Sequence, residues 1–170
     1  MKSKGNIVFL GMMGSGKTTI GKLISKKLNL KFYDIDQLIE RKQKMNISDI
    51  FTIKGENFFR KLEEEITLDI LKKKNIIISL GGGAFLNKKI RDETLKKHIS
   101  FWLNWNNQII IKRIKDSKKR PIASKLSINE LRDLIEKRSN IYSKAMYKLN
   151  CDNLTKNEII DNIIKFYEIN

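Results

Sequence analysis

The sequence predicts an α/β fold built on a parallel sheet, and three observations predict it. Short apolar runs alternate with helical patterns along the whole chain. The run Ile76-Ile77-Ile78-Ser79-Leu80 is almost continuously apolar, as a strand covered on both faces of a parallel sheet requires. The first run, Ile7-Val8-Phe9-Leu10, passes into Gly11 to Thr19, read GMMGSGKTT, and then into the helical pattern Ile20 to Leu28. That is the strand, glycine-rich loop and helix order of a P-loop, with the spacing GxxxxGK[ST].

The loop carries its own chemistry. Gly11, Gly14 and Gly16 let the backbone turn tightly and bring N–H groups close to a phosphate. The helix that opens there adds the positive end of its dipole. Lys17 is expected to reach the β- and γ-phosphates, and the Thr18 hydroxyl to ligate Mg²⁺. The stretch Gly11, Met12, Met13, Gly14, Ser15, Gly16, Lys17, Thr18 and Thr19 is therefore the candidate ATP-binding loop. The alternative, a glycine linker that only joins strand to helix, leaves the flanking pattern unexplained.

The 170 residues are expected to form one domain, and a hydrophobic share of 41% excludes a disordered tail. No apolar run approaches the ~20 residues of a membrane span. Met1 to Asn6 lead straight into the first strand without a secretory pattern. The single cysteine, Cys151, cannot form an internal disulfide and fits a reducing compartment, so a cytoplasmic protein is expected. Cys151 reads as a small buried hydrophobe, and the single histidine, His98, has no catalytic role assigned. A formal charge of +16 raises nucleic acid or a membrane surface as partners. The lysines are scattered over polar helix faces, however, which favours a solvated surface that also draws in anionic substrates such as ATP.

Lys31 to Asp36 starts as a second strand and ends in two carboxylates. If the extended form persists, Asp34 and Asp36 share a side, well placed for Mg²⁺ or a substrate hydroxyl. The competing reading is that Asp36 caps a helix starting at Gln37. Residues 37 to 44 read as a polar helix. Ser48 is the expected cap of a short helix over Asp49 to Ile53, which Gly55 ends. The next helix spans about Asn57 to Lys73 and carries Arg60 and Glu63 three apart on one face. Spacing alone favours a surface ion pair worth a few tenths of a kcal/mol.

The strand Ile76 to Leu80 ends in Gly81-Gly82-Gly83. Three glycines at that edge either let a ligand lie against bare backbone or form a flexible connector to a helix near Asn87. Ile99 to Leu103 is another strand and Asn106 to Lys115 another helix. The basic stretch Asp116 to Pro121 reads as a loop and, in a phosphotransferase, as a lid that brings a cation to the transferring group. Ser127-Ile128-Asn129-Glu130 is a capping box for a helix to about Ser139, with Arg138 near its end. Tyr147 to Cys151 is the last strand, Asp152 to Thr155 a turn and Glu158 to Tyr167 a closing amphipathic helix.

Taken together and in order, these stretches resemble the shikimate kinase family over nearly the whole chain. GMMGSGKTT resembles its Walker A loop, DID at Asp34 to Asp36 its acidic pair, and GENFFRKLE at Gly55 to Glu63 its GExxFRxxE motif. SLGGGA at Ser79 to Ala84 resembles its glycine-rich strand end, KRPI at Lys119 to Ile122 its lid, and KRSNIY at Lys137 to Tyr142 its KRxPLY motif. The resemblance implies a nucleoside-monophosphate-kinase-like P-loop fold with a five-stranded parallel sheet flanked by helices. It implies a shikimate-binding part over about 34–63, a lid over about 113–126, and phosphoryl transfer from ATP to the 3-hydroxyl of shikimate with Mg²⁺, in chorismate and aromatic amino-acid synthesis. A free-standing, monomeric, cytoplasmic enzyme follows, without a nucleic-acid or membrane partner.

Residue by residue, the resemblance implies that Asp34 holds a water on Mg²⁺ beside Thr18. Asp36 binds ring hydroxyls and accepts the proton of the attacking 3-hydroxyl. Arg60 and Arg138 clamp the substrate carboxylate, Glu63 supports Arg60, and the backbone of Gly81, Gly82 and Gly83 faces the ring. Arg120 swings in with the lid, and Arg113 lies by the adenine. The motif thus shifts the reading of Arg60 and Glu63 away from a surface ion pair. The lid reads RPIA where the family often has RPLL. Asn140 stands where the family usually has proline, which predicts a looser helix end. The adenine loop at Asn153 to Thr155 matches poorly. The rivals are a gluconokinase-like kinase of the same fold, a nucleic-acid-binding P-loop protein, and a relative that binds without catalysis.

Overall fold

The computed structural model describes residues 5–117 and 121–169. Five parallel strands form one sheet: β1 (Ile7–Leu10), β2 (Lys31–Asp34), β3 (Ile76–Ser79), β4 (Ile99–Asn104) and β5 (Tyr147–Asn150), in the order β2-β3-β1-β4-β5. The expected five-stranded α/β architecture is therefore present. β1 is buried over its whole length, and its side chains alternate between two cores. Val8 and Leu10 face one core, with Ile78 and Trp102. Ile7 and Phe9 face the other, with Ile77 and Phe101. This two-sided burial explains why β1 and β3 read as apolar runs rather than alternations.

The helices complete the three layers. α1 (Lys17–Leu28) and α9 (Lys156–Ile169) cover one face through Ile20, Ile24, Ile159 and Ile163. The other face carries α4 (Glu56–Leu71), α5 (Lys88–Lys97), α6 (Asn107–Lys115) and α8 (Ile128–Tyr142). α2 (Ile35–Gln43), α3 (Ile47–Lys54) and the one-turn α7 (Pro121–Ser124) lie between them in sequence.

Several boundaries differ from expectation. β2 stops at Asp34, because the Asp34 carboxylate accepts the Gln37 N–H at 3.2 Å and turns the chain into α2 at Ile35. Asp34, not Asp36, is the cap, and Asp36 sits in the first turn of α2 instead of on the same side of an extended strand. Asn46, not Ser48, caps α3: its side-chain oxygen accepts the Asp49 N–H at 2.8 Å. Gly55, at φ 82°, closes α3 and opens α4. The Ser127–Glu130 capping box is formed, and α8 runs past Ser139 to Tyr142. Asn140 lies within that helix, so the expected looser end is not seen. Lys118, Lys119 and Arg120 of the lid lie outside the described residues.

One buried polar residue ties the sheet together. Asn6 is 2% exposed. Its amide donates to Lys73 O at 2.7 Å and Leu71 O at 3.4 Å, and its oxygen accepts the Ile76 N–H at 3.3 Å. It thus satisfies the chain leaving α4 and fixes the entry to β3. Asn6→Ala strands these groups and is expected to cost about 1–3 kcal/mol of unfolding free energy, measured by urea denaturation. His98, at the end of α5, accepts the Asn6 N–H on Nδ1 at 3.3 Å, and burial pushes its pKa down. That hydrogen bond ties the end of α5 to the residue before β1. Cys151 is fully buried, and burial pushes its thiol up to about 12, which suits the inert hydrophobe anticipated for it.

Candidate active site

β1 is flanked by β3 on one side and β4 on the other, so the sheet grows in both directions from it. Open α/β sheets take ligands at the carboxyl ends of strands at such a point. The loop 11–16 occupies that place. Gly11, Gly14 and Gly16 all adopt positive φ, at 137°, 82° and 89°. Gly16 is the N-cap of α1 and offers no side chain to the first-turn N–H groups, which leaves that end of the helix suited to an anion. α1 begins at Lys17, three residues before the apolar periodicity, because the loop itself supplies the first turn.

Lys17 folds back over the loop. Its Nζ donates to Gly11 O and Met12 O at 2.9 Å each, and the residue is 8% exposed. Thr18 Oγ1 donates to Asp34 Oδ2 at 2.5 Å, so the tips of α1 and β2 meet beside the loop. Ser15 Oγ is buried without a partner among the described residues. Among those residues no cluster of three or more His, Cys, Asp or Glu side chains can hold a metal. The protein donors for a cation here reduce to one hydroxyl and one carboxylate. Both are hard oxygen ligands of the kind Mg²⁺ takes alongside phosphate oxygens and water, so the residues fit it.

On the other side of the loop a cleft of about 470 Å³ is lined by Gly14, Thr19, Trp105, Arg113, Leu154 and Lys156, among others. The Arg113 guanidinium lies over the Trp105 ring at 4.0 Å and donates to Gly14 O at 3.1 Å. Trp105 Nε1 donates to Ser15 O at 2.9 Å. Sequence reasoning passed over Trp105. It follows the end of β4, and the edge rule that drew attention to Asp34 and Gly81 would have found it.

A second cluster forms around Gly81, Gly82 and Gly83, just beyond β3. A Cβ on Gly81 would stand 2.6 Å from both Asp36 Oδ1 and Glu63 Oε1; one on Gly83 would stand 2.6 Å from Arg60 Nη1. On Gly82 it would stand 3.3 Å from Arg138 Nη1. The three glycines are thus a floor that four charged side chains touch, from α2, α4 and α8. Arg60 Nη1 donates to Glu63 Oε2 at 2.8 Å, and Arg60 also reaches Glu56 at 3.3 Å. Glu63 is only 2% exposed, which corrects the surface ion pair that spacing suggested. The packing of α4 against the sheet buries the face that carries it. Arg138 Nε is buried without a partner among the described residues, and its Nη1 lies 3.9 Å from Met12 Sδ. Tyr142, one turn further along α8, donates its hydroxyl to Gly82 O.

The electrostatics of this cluster are unusual for carboxylates. Burial, then Asp34 and Glu63, push the Asp36 pKa up to about 7, with Lys17 pulling the other way. Asp36 as a residue is only partly buried, yet its carboxyl group lies near two other carboxylates. Burial also raises Glu63, and Arg60 and Arg138 offset only part of it. A carboxyl group poised near neutrality suits proton acceptance, and two guanidinium forks suit a planar carboxylate. The sequence-selected residues Asp36, Arg60, Glu63, Arg138 and Gly81 to Gly83 therefore meet in one place. Lys17, Thr18 and Asp34 meet in an adjoining one, Arg113 lies beyond the loop, and Arg120 is outside the described residues. No helix among the described residues is long and apolar enough to cross a membrane.

The chain is similar to known proteins over nearly its whole length. Residues 13–168 match the profile of the family described as Shikimate kinase. The shikimate kinase of Bacillus subtilis is 42% identical over 172 residues, covering 96% of this chain and 89% of its own. A structure of shikimate kinase from Acinetobacter baumannii in complex with shikimate superposes with a TM-score of 0.91 at 27% identity, covering 99% of this chain and 95% of that one. The shikimate kinase of Aquifex aeolicus superposes with a TM-score of 0.85 at 36% identity, covering 96% of each chain.

Proposed function

The chain belongs to the shikimate kinase family, and on that premise we propose how its residues divide the work of a kinase that moves the ATP γ-phosphoryl group to the 3-hydroxyl of shikimate. The observation that carries the assignment is the convergence of Asp36, Arg60, Glu63 and Arg138 on the three glycines beside the P-loop.

In this reading the loop Gly11 to Thr19 holds the ATP phosphates, and Lys17 exchanges its carbonyl partners for phosphate oxygens. Thr18 would ligate Mg²⁺, and Asp34 would help hold it through water. Bound there, the ion would supply charge neutralisation on the phosphates. Arg60 and Arg138 take the shikimate carboxylate, for which Arg138 Nε, without a partner among the described residues, offers a donor. Glu63 holds Arg60 in position at 2.8 Å. The bare backbone of Gly81 to Gly83 lets the ring lie flat, and Asp36 binds its hydroxyls and takes the 3-hydroxyl proton as the phosphoryl group moves in line. Arg113 borders the adenine, and Arg120 brings a cation to the transferring phosphoryl group. Most of the rate then comes from positioning and charge stabilisation.

We further read residues 1–170 as one domain with its shikimate-binding part at about 34–63 and its lid at about 113–126. We read the enzyme as a cytoplasmic monomer without a nucleic-acid or membrane partner. Exposed pairs such as Lys27 with Asp161 and Lys42 with Glu65 support a solvated role for the excess lysines.

A coupled ADP-release assay with ATP, Mg²⁺ and either shikimate, gluconate or no acceptor tests the assignment. Shikimate-dependent release is expected. Release with gluconate alone would overturn the roles given to Asp36, Arg60 and Arg138. The glycine floor has its own test. Asp36 and Glu63 are side-chain ends that can swing away from a new methyl group, so Gly81→Ala should fold. The displaced carboxylates should nevertheless lower kcat/KM for shikimate by roughly 100-fold, with ADP affinity within about twofold of the parent, as read by kinetics and calorimetry.

A further inference from the structure

We propose that Trp105 is a positioning residue of the phosphate loop, aiming the Gly16 N–H at the nucleotide phosphates. The inference rests on the reading of the loop as the ATP site. The indole has one hydrogen-bond donor, Nε1, and spends it on Ser15 O at 2.9 Å. Ser15 C=O and Gly16 N–H belong to one planar trans peptide unit, so they point in opposite directions. Holding the carbonyl toward β4 therefore turns the N–H to the far side of the loop, where α1 opens.

The neighbouring peptide is held in the same way. Arg113 donates to Gly14 O at 3.1 Å, and the Ser15 N–H of that unit donates across the loop to Met12 O at 3.2 Å. Arg113 is itself seated on the Trp105 ring at 4.0 Å. Two successive carbonyls are thus fixed from outside the loop by one stacked pair. Gly14 and Gly16 take positive φ, at 82° and 89°, a region where glycine backbone is loosely determined and an external tether has most effect. Lys17 fixes the earlier carbonyls, Gly11 O and Met12 O, from inside. The loop is therefore held from both sides, and Trp105 supplies the outer hold at its last turn.

The alternative is that Trp105 serves only as a shelf for the base, since it also lines the cleft of about 470 Å³. Trp105→Phe separates the two roles, because it keeps an aromatic face under Arg113 and removes the N–H. Calorimetry on the purified parent and variant, with pyrophosphate as the phosphate-end probe and adenosine as the base-end probe, reads the difference. Thermal melting is followed in parallel. The Kd for pyrophosphate is expected to rise about five- to tenfold, with adenosine changed by less than about twofold.

Unchanged affinity for both probes overturns the inference, and so does a loss confined to adenosine. Equal losses for both, with a lowered melting temperature, would mark a merely structural residue and also overturn it. A parent protein that binds neither probe would overturn the nucleotide reading itself, which distinguishes that failure from this one.

Discussion

Asp36→Asn is expected to lower kcat by roughly 10³-fold while leaving the Kd for ADP within about twofold. Asparagine keeps the size of the side chain and its ability to contact ring hydroxyls, but it cannot accept the 3-hydroxyl proton. The Asp36 carboxyl touches the floor at Gly81 and lies beside Glu63, so the change falls on the acceptor side of the site and not on the phosphate loop. Steady-state kinetics with saturating ATP and shikimate checks it, and near-parental turnover would remove Asp36 as the base.

The same substitution should stabilise the protein free of ligands and divalent cations. Burial and the neighbouring carboxylates push the Asp36 pKa up to about 7 in the folded state, from an ordinary 3.8, so the folded chain binds the proton more tightly. Between those values stability falls as pH rises, and above about 7 the cost of a buried charge is complete. Asp36→Asn should melt higher than the parent at pH 8, on the order of 5 °C, and the gap should close toward pH 4. That result would mark a carboxylate held against the preference of the fold, as expected of a group retained for chemistry.

Arg138→Ala is expected to raise the KM for shikimate on the order of 100-fold and to leave the KM for ATP within about threefold. Arg138 reaches the floor at Gly82 and leaves Nε buried without a partner among the described residues, so a planar anion gains donors that water supplies poorly there. Alanine also removes one of the two cations beside Glu63. Arg138→Lys should fall between the two, because it keeps the charge and loses the fork. An unchanged KM for shikimate in the alanine variant would take Arg138 out of the clamp.

Much of this site was legible in the chain because its chemistry is local. The P-loop reads directly, since turn, anion cradle and helix start are consecutive residues. Gly81 to Gly83 stood out because they end an apolar strand at the edge where ligands bind. What was not legible depends on contacts between elements. Spacing put Arg60 and Glu63 on one helix face, but only the packing of α4 decides that Glu63 is buried and Arg60 half open. Asp34 and Asp36 read as two carboxylates on one side of an extended strand, but the Asp34 cap splits them between strand and helix. Trp105 carries no motif, and its importance comes from a carbonyl 90 positions away in sequence. The lid cation Arg120 lies outside the described residues, so its placement rests on the motif.

The glycine floor also constrains how the site can diverge. Gly81 meets Asp36 and Glu63, Gly82 meets Arg138, and Gly83 meets Arg60. Each glycine answers to a different charged neighbour, so no single compensating change elsewhere makes room for a side chain at all three. Drift toward a different acceptor must therefore begin in the rim, by exchanging one charged residue at a time on α2, α4 or α8. On this reading the turn is the part of the pocket least free to vary, because any side chain added to it presses on a charged group.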